Sequence, residues 1–343
     1  MVKKLLHLLT LIFLLKVQHA TAAVILQYHH VSEKLPPVTS ISAEQLTAHL
    51  NYLRDGQFNV MPLDDMLNAL KNGKELPSKS VAITFDDGYD NNIEQAAPIL
   101  EKFGFAYTIF VNPKLIDEKQ DYVMTWEQLR TLAKKGALIA NHSAKHDYLH
   151  HLKKSETIKQ WRTRVAEDIT WSEQRISAEV GHNAKLLAYP YGEFNRELQK
   201  LVHSLGFIGI GQHSGAVGKY TDFTRVPRFP ASGIYANLNT LTVKLNSQPF
   251  DIAKLTYADT VTNQTQPSLI IDFEHKNFLR HQFACYTSGQ EKADTKWLNE
   301  LQVIITAKDR LSNGRARYNC TAPVQGQTKQ FFWFSQPWVI AKS

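Results

Sequence analysis

Two aspartates stand side by side at Asp86 and Asp87, within Ser80 to Asn92 (SVAITFDDGYDNN), and two histidines stand four apart at His142 and His146, within ANHSAKH. Adjacent carboxylates repel, and at neutral pH a cation or a shared proton relieves them. Imidazole nitrogen is the commonest protein ligand for zinc-like ions. Asp87, His142 and His146 together offer one oxygen and two nitrogens, leaving coordination positions for water and substrate, which is an open, catalytic arrangement. An ion held there lowers the pKa of water toward roughly 7 and polarises a carbonyl oxygen. Asp86, beside the ligand, is then placed to take the proton from the attacking water. The bland reading is that the aspartates cap the helix beginning near Asn91, and that a histidine pair at this spacing, taken singly, is structural. Acids and imidazoles at two strand ends favour the catalytic reading.

A third stretch, Leu187 to Asn195 (LAYPYGEFN), is again a strand running into a tight turn. There a backbone N–H, that of Tyr191 after Pro190, can face a crevice and bind a developing oxyanion. A plain aromatic turn is the alternative.

The elements that must position these groups alternate along the chain. Val81, Ile83 and Phe85 lie in a nearly unbroken apolar run, the mark of a buried parallel strand that delivers its acids at its carboxyl end. Gly88 permits the sharp turn. Upstream, VILQY (24–28) reads as a strand ending in His29 and His30, and Leu46, Leu50 and Leu53 give a helix stopped at Asp55-Gly56. Downstream, helices are predicted over 93–103, 127–135, 156–180 and 196–204, and strands over 106–111, 137–141, 186–189 and 207–210. This alternation predicts parallel β/α units, as a barrel or a doubly wound sheet. After about Leu245 short β-like runs (268–273, 302–306, 331–334) predict a small antiparallel β domain. Its aromatic residues, Phe331 to Phe334 and Trp338, are either core or a sugar-stacking surface.

The chain has 343 residues, 43% apolar and 21% charged, enough for a large core in one domain or two. Its first 22 residues have Lys3 and Lys4, an apolar run from Leu5 to Leu15 and then Ala20-Thr21-Ala22, which predicts a cleavable secretory leader and a secreted or periplasmic protein with no stable membrane anchor. In such a compartment the two cysteines, Cys285 and Cys320, are candidates for a disulfide. The formal charge of +7 is scattered rather than gathered in a stripe, and no nucleic-acid module is present, so no nucleic-acid partner is expected.

TFDDGYD, HSAKH and YPYGEFN, in this order, resemble the successive motifs of the polysaccharide deacetylase family, also called carbohydrate esterase family 4 or the NodB homology domain. The resemblance covers the chain to about Leu245. It implies a distorted (β/α)7 barrel over 23–245, followed by a β-rich, sandwich-like domain over 246–343. It also implies a divalent metal on Asp87, His142 and His146, zinc best with cobalt, nickel or iron fitting the same donors, and Asp86 as general base. The reaction implied is removal of acetyl groups from an acetylated polysaccharide. Two departures stand out. Ala188 occupies the place where family members often carry an arginine, for which Arg228 is the candidate replacement as the group orienting Asp86. No terminal L-x-H motif precedes Leu245, but Leu26 to His29 has the same strand-then-histidine form. That form resembles the circularly permuted branch, which includes deacetylases of poly-β-1,6-N-acetylglucosamine, and it makes His29 the candidate acid. His30 is the weaker choice, since strand alternation turns it to the other face. Peptidoglycan or chitin fragments are other substrates of the same chemistry. An O-acetyl esterase and a non-catalytic glycan-binding protein are the alternatives.

Overall fold

The computed structural model describes residues 22–289 and 291–342. The expected leader, apart from Ala22, lies outside the described residues. The main sheet has eight parallel strands, of which seven follow one path: β1 (Ala23–Tyr28), β2 (Ser80–Phe85), β3 (Thr108–Val111), β4 (Leu138–Asn141), β5 (Leu186–Ala188), β6 (Ile208–Ile210) and β7 (Phe229–Pro230); the eighth, the two-residue strand Asn59–Val60, pairs with β2 off that path. The seven run in the spatial order β7-β1-β2-β3-β4-β5-β6. The ladder between β1 and β2 is continuous, from Ala23 opposite Ser80 to Tyr28 opposite Phe85. The segment leading into β7 closes the circle against β6 and the loop after it. Val226 N–H donates to Gly209 O at 2.8 Å, Gly211 N–H donates to Val226 O at 2.8 Å, and Arg228 N–H donates to His213 O at 2.9 Å. The result is a distorted (β/α)7 barrel rather than a doubly wound sheet.

Strand periodicity of two divides each strand between two environments. On β2, Val81, Ile83 and Phe85 face a cluster that includes α1 (Ala43–Asp55), α3 (Ala97–Phe103) and α4 (Trp126–Lys134). The alternate residue Ala82 faces a second cluster with Ile25, Phe110, Ala140, Ala188 and α2 (Leu63–Lys71). Leu46, Leu50 and Leu53 of α1 are fully buried, each worth roughly 2 kcal/mol. The helix starts in a capping box between Ser42 and Gln45. The long α5 (Ile158–Val180) is capped likewise by Thr157 and Gln160 and ends at Gly181, whose φ is +79°. α6 (Arg196–Ser204) and α7 (Leu238–Leu245) follow, and a single short turn of helix, Pro113–Asp117, sits after β3.

One local expectation is corrected here, and two elements were not expected. The helix predicted over 93–103 begins with a widened turn, Asn92–Ala96, in which Ala97 N–H bonds back to Asn92 O. Pro98 has no N–H to give and its ring crowds the carbonyl of the preceding turn. Helix α7 and the short β7 carry too few periodic residues to have been predicted.

The C-terminal part consists of two four-stranded sheets. One contains β8 (Ile252–Thr256), β10 (Leu269–Phe273), β12 (Asp294–Trp297) and β13 (Gln302–Thr306). The other contains β9 (Val261–Thr262), β11 (Ala284–Thr287), β14 (Gly314–Pro323) and β15 (Phe331–Ile340). Pairing is antiparallel except between β9 and β15, which run parallel, a departure from the expected all-antiparallel pattern. Alternate residues of β10, β13 and β14 bury between the sheets with Phe332 and Trp338. Trp333 instead lies edge-on to Phe229 of the barrel, 5.3 Å between ring centres. These rings are spent on packing, which disfavours the sugar-stacking reading. Cys285 and Cys320 sit directly opposite each other on β11 and β14 and are bonded.

Candidate active site

The candidate groups stand where strands β1, β2, β4 and β5 meet the loops at their carboxyl ends, with Arg228 reaching in from the residue just before β7. The inner-face alternation that buries Ala82 places Asp86 inward, and that which buries Ile25 places Gln27 and His29 inward. Asp86 is wholly buried. Arg228, equally buried, grips it with both arms, Nη1 to Oδ1 at 2.7 Å and Nη2 to Oδ2 at 2.8 Å. Gln27 Nε2 donates to Oδ2 at 2.7 Å. Arg228 is itself held by Gly211 O and Thr84 Oγ1. Burial alone would raise the Asp86 carboxyl, but the Arg228 charge, then those of His142 and His29, outweigh it and pull it down to about 2. His29 Nε2 lies 3.9 Å from Asp86 Oδ2. His30 turns away, stacked on Tyr89 at 3.6 Å and touching Asn91 through Nδ1.

Asp87 turns toward the histidines because its backbone is left-handed, with φ of +71°. Its Oδ1 is 3.3 Å from Nε2 of both His142 and His146. Of the ten described non-glycine residues with positive φ, four are Asp87, Ser143, His146 and Tyr191, in the three motifs. Strain concentrated this way is typical of sites where the surroundings enforce a geometry. The loop holding the histidines is pinned from below. Asn112 Nδ2 donates to the carbonyls of His142 and Ser143 at 2.5 and 3.1 Å, and Asp168 Oδ1 accepts from Ala144 N–H at 3.0 Å.

Whether these residues suit a metal is answered by His142. Its Nδ1 lies 2.8 Å from Ala188 O, which can only accept, so Nδ1 carries a proton, and in the neutral form of the ring Nε2 carries a lone pair. That buried Nε2 has no hydrogen-bond partner, yet it faces a carboxylate oxygen at 3.3 Å. Two lone pairs so opposed call for positive charge between them. Tetrahedral coordination with bonds of about 2.0–2.1 Å separates neighbouring donors by about 3.3–3.4 Å, the spacing observed. Donor set and spacing therefore fit a divalent ion. Burial, then the neighbouring His142, lower the His146 ring to about 4. Burial would raise Asp87, but contact with His142 and the nearby His29 and His146 hold it well below the usual carboxylate range.

Tyr191 occupies the middle of the turn Pro190–Gly192 with φ of +60°. The N–H groups of Gly192 and Glu193 bond to Tyr189 O and Pro190 O, leaving that of Tyr191 committed to neither. Its ring packs edge-on against His146 at 4.3 Å and stacks on Tyr148 at 4.0 Å. Three contributors escaped sequence reasoning. Gln27 had a visible signal, a lone polar residue inside the apolar VILQY. Asn112 and the Tyr148 shelf had none.

Fold and rim together define a class, an α/β barrel with an open three-donor centre beside an ionised, clamped carboxylate. Residues 73–210 match the family model described as polysaccharide deacetylase. The YxkH protein of Bacillus subtilis (strain 168) is 29% identical over 196 residues, which take in 57% of this chain and 66%, just under two thirds, of that protein. A poly-beta-1,6-N-acetyl-D-glucosamine N-deacetylase of Staphylococcus aureus (strain MSSA476) is 27% identical over 196 residues, 55% of this chain and 67% of its own length. The solved Streptococcus pyogenes deacetylase PplD, in complex with acetate, superposes with a TM-score of 0.59 at 19% identity, covering 66% of this chain and 99% of that one. At that identity the likeness is one of fold.

Proposed function

We propose that the protein is an exported, metal-dependent hydrolase that removes N-acetyl groups from an N-acetylglucosamine polysaccharide, with poly-β-1,6-N-acetylglucosamine as substrate. The observation that carries this reading is the convergence of Asp87, His142 and His146, donors 3.3 Å apart, beside an Asp86 gripped bidentately by Arg228. The name of the Staphylococcus aureus relative supports the choice of glycan. The catalytic part spans 23–245 and an accessory part 246–343.

Asp87, His142 and His146 would hold the ion, zinc best, with cobalt, nickel or iron suited to the same donors. When bound it polarises the acetyl carbonyl and acidifies water. Asp86 accepts the proton of the water that attacks the carbonyl carbon, and Arg228 keeps it ionised and aimed. The Tyr191 N–H donates to the oxygen that gains charge. His29 delivers a proton to the amide nitrogen as the C–N bond breaks, giving acetate and a free amine.

The test strips the protein with a chelator, restores Zn2+ and follows acetate release from β-1,6-linked N-acetylglucosamine oligomers, chitin oligomers and an O-acetylated glycan. The reading requires loss on chelation, recovery on restoration and fastest release from the β-1,6 N-acetyl substrate. Release that ignores the chelator, or that comes from the O-acetyl ester alone, contradicts it.

A further inference from the structure

A second group of donors lies on the same rim, between the loop after β4 and the turn after β5. His150, His151 and Glu193 each present one ligand atom, and these atoms lie within 4.8 Å of one another. His150 is only 4% exposed, and neither ring nitrogen has a hydrogen-bond partner. A neutral imidazole has one donor and one acceptor nitrogen, and a buried polar group left unpaired costs about 1–3 kcal/mol. Native proteins seldom carry such a pair without an occupant. Glu193, 9% exposed, aims Oε2 at His150 Nε2 across 3.7 Å, beyond hydrogen-bond length. Its other oxygen, Oε1, faces Arg315 Nε at 3.8 Å, so the two carboxylate oxygens have separate directions to serve. The exposed His151 ring meets that of His150 edge-on at 4.3 Å.

We propose that His150, His151 and Glu193 form a second metal site, taking one zinc-class divalent ion through two imidazole nitrogens and one carboxylate oxygen. Mixed nitrogen and oxygen donors select borderline ions such as Zn2+, whereas Mg2+ and Ca2+ take oxygen. The position gives the site its role. Glu193 directly follows the turn Pro190–Gly192, and His150 follows Tyr148, whose ring stacks on Tyr191. An ion bridging the two segments clamps the Tyr148–Tyr191 pair and so holds the turn beside His146. The three residues are positioning residues, and the site stands apart from the one formed by Asp87, His142 and His146.

The experiment counts ions. Full-length protein is stripped with a chelator, dialysed against Zn2+, desalted and assayed by elemental analysis. Two equivalents are expected in the native chain, one in Glu193→Gln, one in His150→Ala and one in Asp87→Asn. None is expected in the double variant Asp87→Asn/Glu193→Gln. A single equivalent in the native chain that survives Glu193→Gln, or two retained in Glu193→Gln, overturns the proposal, whereas a single equivalent lost in Glu193→Gln and kept in Asp87→Asn counts against the first site alone. Glu193→Gln keeps the shape of the side chain, and its circular dichroism is to match the native spectrum, so the count remains decisive even if His150→Ala does not fold. The count is independent of acetate release, so failure of the deacetylase reading leaves this result separate.

Discussion

Asp86 and Asp87 are neighbours in sequence with opposite surroundings, separated by backbone geometry. Asp87, left-handed, leans to the two imidazoles, whereas Asp86 remains on the inner face of the barrel in the grip of Arg228. Asp86→Asn is therefore expected to keep its metal and lose turnover by roughly 10²- to 10⁴-fold, while Asp87→Asn loses metal. Elemental analysis beside acetate release checks the split, and an active Asp86→Asn would remove Asp86 as base. Arg228→Met leaves a buried carboxylate with Gln27 as its main remaining partner, a change expected to cost roughly 3–5 kcal/mol of stability. Pairing it with Asp86→Asn restores most of that loss, because the uncompensated charge goes with it. Urea unfolding of the two single variants and the double variant measures the coupling. Arg228 was a candidate in the sequence only because Ala188 stands where an arginine was expected. Nothing along the chain showed that the two residues, 142 positions apart, would meet.

At the scale of elements, the turn after β2 decides where the acids point. Gly88 has φ of +64°, and a Cβ built there would lie 2.9 Å from Val111 Cγ1 of β3. Gly88→Ala carries both a strained backbone and a clash with a packed strand, so it is expected to cost about 1–3 kcal/mol and to weaken Zn2+ binding by displacing Asp87. Thermal unfolding and Zn2+ titration measure the two effects, and an unchanged variant would show that the turn does not hold Asp87. Helices such as α1 and α6 were legible because periodic leucines and side-chain caps are local signals. The widened first turn before α3 had a local signal too, the proline two residues into the following helix, which a single helix over 93–103 does not take into account.

The whole molecule joins the barrel to the C-terminal sheets through polar and aromatic contacts. Arg225 Nη1 bonds to Gln336 Oε1 at 2.9 Å, and Arg317 Nη2 to Tyr235 OH at 3.0 Å. Near the second contact, Lys244 of α7 is buried, with no hydrogen-bond partner for Nζ. Burial, then the charge of Arg317, lowers it from 10.5 to about 8. Between about pH 8 and 10.5 the unfolded chain therefore binds this proton when the folded chain does not, so stability rises with pH across that window. Below about pH 8 the folded state bears the full cost of the buried charge. Lys244→Met is expected to be more stable than the native protein near neutral pH, by roughly 3 kcal/mol at most, with the gap closing toward about pH 10. Denaturant unfolding at both pH values tests this, and a constant gap would place the cause elsewhere than in the charge.

Strand and helix alternation, the order of the three motifs and the opposite faces of His29 and His30 were determined by sequence alone, because period, turn chemistry and neighbouring residue types act over a few positions. The meeting of Arg228 with Asp86, the place of Gln27 beneath them and the assembly of His150, His151 and Glu193 were decided only by tertiary structure. Closing a barrel brings distant strand ends to one rim, and the register that sets which side chains face each other there is a property of the whole circle.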